Sequence, residues 1–164
     1  MITQQRLHEL FDYRNGHLYW KVARTRGVQA GDQAGSINGC GYIAIGISGQ
    51  KHLAHRLIFL WHHGFCPQYI DHIDRNRSNN QISNLRSATS SQNQANVVSN
   101  SRSTSGVMGV SWDKRKKKWR SQIRVHGKAL YLGLFPNIDD AKIAYTTAKQ
   151  TYFGEFSPIK GGEF

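Results

Sequence analysis

Three features of the 164-residue sequence predict an α+β protein built in two parts. Between Tyr69 and Asn96 a strand pattern, a polar loop, a second strand pattern and a short helix follow one another. Between Val107 and Gly154 three strand patterns precede one long helical stripe, predicting a small three-stranded antiparallel sheet packed on one helix. A polar run from Ser99 to Gly106, with no apolar side chain to bury, separates the two. The expected division is a first domain over 1–98 with its core motif at about 53–98, a linker over 99–105, a second domain over 106–158 and a tail over 159–164.

Thr3 is placed to cap a short helix carrying Leu7, Leu10 and Phe11 on one face. Asn15-Gly16 reads as a turn before a strand from Gly16 to Val22, and Gly41 to Ile47 alternates as a second strand ending in the Ser48-Gly49-Gln50 turn. From Leu53 to His63, the residues Leu57, Ile58, Leu60 and Trp61 return to helical spacing. Tyr69 to Asp74 is a short strand that delivers an acid and an imidazole at its end. Arg75 to Asn80 is too polar to be buried and reads as a loop. Asn84 to Ala88 returns as a strand, and Thr89 or Ser90 caps a helix with Asn93 and Asn96 on one face.

In the second part the strands are Val107 to Trp112, Lys118 to His126 and Ala129 to Phe135. In the middle one, Trp119, Ser121, Ile123 and Val125 alternate with Arg120, Gln122, Arg124 and His126, giving a mainly apolar face and a basic one. The third places Leu130, Leu132 and Leu134 on one side and Tyr131 on the other. A helix starts near Asn137, with Asp139 and Asp140 where the dipole favours acids. Its stripe is Ala141, Ala144, Tyr145, Ala148 and Tyr152, and Gly154 stops it. Small Ala residues let this helix lie close on the apolar sheet face and leave the basic face open.

Twenty-two Lys and Arg against ten Asp and Glu give a formal charge of +12, which points to a polyanion partner, nucleic acid above all. The charge rises along the chain: ten against five in 1–100, then twelve against five in 101–164. Hydrophobic residues at 38 % and aromatics at 11 % suffice for a core, which excludes a wholly disordered basic protein. No stretch approaches the roughly 18 consecutive apolar residues of a membrane span. The first residues lack the blocks of a secretory signal, so a cytoplasmic protein with no membrane partner is expected. Cys40 and Cys66 alone exclude a C-x-x-C zinc cage and argue against a disulfide framework.

The strand–loop–strand–helix unit suits hydrolysis of a phosphodiester. That reaction needs a base to activate water and a cation to stabilise charge on the phosphorane and the leaving oxygen. His72 suits the base because its ordinary pKa lies near neutrality. Asp71 offers a carboxylate and Asn93 an amide oxygen, a set that with several waters suits Mg²⁺ better than zinc. Asn84 is placed to hold the imidazole in its useful tautomer.

These residues resemble the HNH endonuclease family through H-R-L (55–57), D-H-I-D (71–74), N-N (79–80), N-L-R (84–86), A-T (88–89) and Asn93. The upstream G-D-x-A-G (31–35) and G-Y (41–42) extend the likeness toward phage-type members. The resemblance implies a ββα-metal fold, with Asp71 and Asn93 as metal ligands and His72 as general base. Asn84 takes the place of the central Asn that orients the base. The last motif position is Asn93 rather than His, which fits a single-metal branch. The implied cofactor is a divalent metal, most readily Mg²⁺, with Mn²⁺ able to substitute. Arg75 and Arg77 are expected to contact DNA. His55 lies outside the core motif and reads equally as a packing residue, while His62 and His63 read as solvent-facing helix-end residues.

An exposed strand face carrying Arg and Gln can enter a major groove. Lys114, Arg115, Lys116, Lys117 and Lys118 on the first hairpin suit flanking phosphates. The second part is similar to the DNA-binding domain of plant ethylene-response (Apetala-type) transcription factors over about 105–158. The matching residues are G-V (109–110), W-R-S-Q-I-R (119–124), Y-L-G-L-F (131–135), A-x-x-A-Y (141–145) and F-G-E-F (153–156). That likeness implies a sheet reading the major groove with Arg120, Gln122 or Arg124 and Tyr131. Ser111 and Asp113 stand where the plant proteins usually carry Arg, and Tyr131 where they carry Trp.

The combined expectation is a metal-dependent DNA endonuclease of homing or phage type with a C-terminal recognition domain. The alternative is a DNA-binding regulator whose HNH unit is catalytically silent. Double-stranded DNA is the expected partner and no protein partner is implied. A monomer would nick, a homodimer could cut both strands, and the sequence fits either.

Overall fold

The computed structural model describes residues 2–24, 27–97 and 105–157 and is a mixed helix and sheet structure. Contacts divide the chain into two compact units, 1–88 and 89–164. The division therefore falls before the short helix that the sequence assigned to the first domain. Residues 99–104 of the expected linker and the tail at 159–164 lie outside the described residues. Ser105 is already part of the folded second unit: it is 8 % exposed and its hydroxyl lies 2.6 Å from the Val110 carbonyl oxygen.

The first unit opens on α1 (Gln4–Leu10), where Thr3 Oγ1 accepts a hydrogen bond from the Arg6 N–H at 3.2 Å. Phe11 does not continue the helix. It starts β1 (Phe11–Arg14), which forms a hairpin with β2 (His17–Trp20) around Asn15-Gly16. Its side chain is fully buried all the same, so the apolar spacing marked the core correctly and the backbone state wrongly. β3 (Ser36–Ile37), β4 (Ile43–Ile47) and β5 (Gln50–Leu53) form an antiparallel sheet in that order, and α2 (Ala54–His63) follows directly from β5. Gly35 has φ +90°, and a Cβ there would lie 2.7 Å from both the Ala44 carbonyl oxygen and Ile45 Cγ1. Only glycine fits. β6 (Tyr69–His72) and β7 (Leu85–Ala88) form a second hairpin, with a 3-10 turn at Ile82–Asn84 leading into β7. Ile70 and Leu85 tie this hairpin to the core of Leu7, Phe11, Leu18, Ile45 and Ile58.

The second unit starts with α3 (Ser90–Ala95), closed by a capping box in which Thr89 and Gln92 bond each other's backbone N–H. α3 packs against α4 (Ile138–Phe153) and the 3-10 turn at Gly154–Phe156, which is why it groups with this unit. β8 (Val110–Asp113), β9 (Lys118–Val125) and β10 (Lys128–Phe135) form an antiparallel sheet with β9 central, packed on α4. Val110, Ile123, Ala141, Tyr145 and Ala148 are its core. Gly109 (φ +77°) lets the chain cross here, because a Cβ would collide with the Gln122 carbonyl oxygen and the Tyr145 ring.

Three expected core positions differ, the first being Leu130, which is 38 % exposed. Tyr152 is 50 % exposed, and Phe153 packs on the core in its stead. In β10 the register slips between Tyr131 and Gly133, leaving Leu132 as a bulge. An extra residue in one strand reverses the alternation beyond it. Leu134 consequently pairs with Arg120 on the open face rather than joining Leu132 against the helix. No helix among the described residues is long and apolar enough to cross a membrane.

Candidate active site and nucleic-acid interface

β6 delivers Asp71 and His72 at its end, 4 % and 6 % exposed. Adjacent strand residues face opposite ways, so each finds its own partner. Asp71 sits opposite Arg86 in the hairpin, and Arg86 Nε donates to Asp71 Oδ2 at 2.8 Å. His72 Nε2 lies 3.0 Å from Oδ1 of Asn80, a residue 1 % exposed. The protonated Nε2 donates to that oxygen.

Asn84, expected at the imidazole, works elsewhere. Its Nδ2 donates to Asp74 Oδ1 at 2.9 Å and to the Asn79 carbonyl at 2.8 Å, and its Oδ1 accepts from the Asp74 N–H at 3.0 Å. The reason is its place in the 3-10 turn, where its own carbonyl accepts from the Ile73 N–H at 2.9 Å and brings the side chain against the start of the loop. The N-N pair at 79–80 was visible in the sequence. What the sequence did not supply was which asparagine meets the ring.

The loop from Asp74 to Asn80 is closed by its own polar groups. Asp74 Oδ1 accepts from the Asn76 N–H at 2.8 Å and Oδ2 from Asn79 Nδ2 at 2.6 Å. Burial pushes the Asp74 carboxyl up, but the bonds from Asn79, Asn76 and Asn84 outweigh it and hold it below the usual carboxylate range. Arg75 is exposed in the left-handed region at φ +67°. Arg77 donates to the Cys40 carbonyl at 2.9 Å and lies over the Tyr42 ring, 5.1 Å from its centroid.

Tyr42 and His55 complete the surroundings of His72. The His55 ring centroid is 5.1 Å from that of His72 and 5.2 Å from that of Tyr42. Burial first, then the charges of His72 and Arg56, push the His55 pKa down to about 4. His62 departs from the solvent-facing reading. It is half-buried and meets the Tyr13 ring edge-on at 4.5 Å, with its pKa lowered by burial and by His63 and His8.

Residues 52–95 match the HNH endonuclease family. The matched segment contains His55, Asp71, His72, Asn80, Asn84 and Asn93. The chain is 42 % identical over 60 residues to Protein 3.8 of Escherichia phage T7, a match covering 37 % of this chain and 50 % of that protein. It is 34 % identical over 106 residues to an uncharacterized HNH endonuclease of Acanthamoeba polyphaga mimivirus, covering 63 % of this chain and 54 % of that protein. The chain thus spans about half the length of the curated relatives it matches. No solved structure matches. The HNH segment supports nuclease activity at the level of the family.

HNH nucleases generally use a divalent metal. Among the described residues no group of three or more His, Cys, Asp and Glu could hold one. The HNH segment holds two carboxylates: Asp74 is taken up by the bonds that close its loop, which leaves Asp71, ion-paired with Arg86, as the oxygen donor for a hard ion that keeps most of its waters. Asn93 lies half-buried on α3, its N–H donating to the Thr89 carbonyl at 2.9 Å.

Beyond the HNH segment, the open face of the second unit carries Arg120, Gln122, Arg124 and Tyr131. Tyr131 is 56 % exposed and pairs with Gln122, and the Arg120 guanidinium lies 5.9 Å from its ring centroid. Lys114, Arg115, Lys116, Lys117 and Lys118 are all exposed at the β8–β9 turn. Asp113 fastens that turn by accepting from the Arg115 and Lys116 N–H groups, each at 3.0 Å. Asp113 therefore has a local structural task.

Proposed function

We propose that this protein is a divalent-metal-dependent endonuclease of phage or homing type that hydrolyses phosphodiester bonds in double-stranded DNA. The observation that carries this reading is the buried Asp71–His72 pair, with its imidazole held at 3.0 Å by Asn80, inside the HNH segment. His72 takes the proton of the attacking water while Asn80 holds its Nε2 in place. Asp71 would hold the metal, and the family resemblance would add Asn93 as a second oxygen ligand. A bound divalent ion supplies positive charge for the phosphorane and the leaving oxygen. The +12 charge draws the duplex, Lys114 to Lys118 and Arg75 and Arg77 contact phosphates, and Arg120, Gln122, Arg124 and Tyr131 read base edges in the major groove.

Incubation with supercoiled plasmid and Mg²⁺ or Mn²⁺ tests the reading. Nicked or linear product that disappears with chelator is expected. Intact plasmid with both metals overturns it. One observation favours a DNA-binding regulator with a silent HNH unit: Arg86 already places a cation on Asp71. Tight DNA binding with no cleavage in any metal selects that alternative.

A further inference from the structure

His55 is the second residue of α2, whose N-cap, Leu53, makes no side-chain cap bond. The first N–H groups of a helix have no partners within it and favour an anion. His55 is more than nine-tenths buried, at 7 % exposure. No described residue hydrogen-bonds either of its ring nitrogens, and neither nitrogen is sealed from solvent, so the ring edge is open to a ligand. The ring is packed against His72 and Tyr42, at 5.1 Å and 5.2 Å between centroids. The neighbouring cation is committed elsewhere, because Arg56 donates to the Gln68 and Pro67 carbonyls at 3.1 Å each. What remains at this end of α2 is an imidazole with an unused donor, beside the residue that takes the proton.

We propose that His55 is a catalytic residue of the nuclease, donating its ring N–H to a phosphoryl oxygen of the scissile phosphate. The inference rests on the nuclease reading above. With its pKa near 4, His55 is uncharged at neutral pH and adds no second positive charge beside an imidazole that must accept a proton. It still stabilises charge that develops on phosphorus-bound oxygen, the task of a preorganised donor in a water-poor site.

The test uses the full chain. His55→Phe keeps a ring against His72 and Tyr42 but has no donor, and His55→Gln keeps a donor. Single-turnover cleavage by His55→Phe should fall by about 10²–10³, the usual loss for one such donor. His55→Gln should recover at least part of that loss. In parallel, inorganic phosphate is titrated into the metal-free wild type while the His55 ring signals are followed by NMR. A saturable shift is expected. A folded His55→Phe that cleaves within threefold of wild type overturns the proposal, and so does a His55 signal that phosphate leaves unmoved. Should His55→Phe not fold, the titration and His55→Gln decide. Failure of the wild type itself to cleave overturns the nuclease reading instead, because the phosphate response is read without catalysis.

Discussion

Asn80 and Asn84 hold different parts of the HNH segment, and substitution should separate them. Asn80→Ala removes the partner of His72 Nε2. It should lower cleavage by roughly 10–100-fold, as expected for a group that orients a functional imidazole, and, because Asn80 is fully buried, it should also cost about 1–3 kcal/mol of stability. Asn84→Ala instead strips the Asp74–Asn79 loop of three hydrogen bonds. Thermal unfolding should show it about 1–3 kcal/mol less stable. His72→Ala should cost about 10²–10⁴ in rate while DNA affinity measured in chelator stays near wild type. A variant that still cuts at the parental rate removes His72 as the base. His55 makes a separate prediction about acid. The unfolded chain protonates it below its ordinary 6.5, while the folded protein refuses the proton until about 4. Stability is therefore full above pH 6.5 and declines between 6.5 and 4, by about 3 kcal/mol in all. Denaturant melts of His55→Phe over that window should show a shallower decline.

Elements with strong periodicity were legible in the sequence. Thr3 caps α1, Leu57 and Ile58 are buried on α2, and β9 alternates over its length. β1 was missed because Phe11 continues the helical apolar spacing of α1, β3 because it has two residues, and β5 because Gln50-Lys51-His52 gives it no apolar face. Asp71 and His72 were singled out from their residue types together with the resemblance to the HNH family. Their partners Asn80 and Arg86 were not, since a loop closure and a cross-strand register decide them and neither is written in local spacing. The β8–β9 turn gives a prediction at this scale. Changing three of the basic residues at 114–118 to Ala should weaken binding to all duplexes alike. The log–log salt slope should flatten by at most about three units, near 0.9 for each phosphate no longer neutralised. A sequence-dependent loss in filter binding over a salt series would assign the turn to base reading instead.

The two units set what can be cut apart. α3 packs on α4, with Ala95 and Asn96 buried at 7 % and 3 % exposure. A fragment over 89–164 should therefore fold alone and melt higher than one over 105–164, by roughly 4–8 °C for each kcal/mol that α3 contributes. It should also bind duplex DNA without metal, through Arg120, Arg124 and the 114–118 run. Equal melting of the two fragments by circular dichroism would show that α3 gives the sheet no support. The sequence placed the boundary at a polar run, and polarity marks where a chain need not pack. It does not mark which neighbour a short helix chooses.

The unpaired Leu132 also gives β10 one residue of slack. Deleting that codon would leave Gly133 opposite Ser121, Leu134 opposite Arg120 and Phe135 opposite Trp119, now in a continuous ladder. Loss of Gly133 or Leu134 is not absorbed in this way, because it would bring Leu132 to a position with φ +142° where a Cβ lies 3.0 Å from the Phe135 ring. An added residue has no such outlet and would turn Phe135 outward or force a second irregularity. Natural length variation in this strand should run toward shortening, and a designer wishing to re-space Tyr131 and Leu134 on the open face has one step in that direction, at the loss of Leu132's packing against the helix.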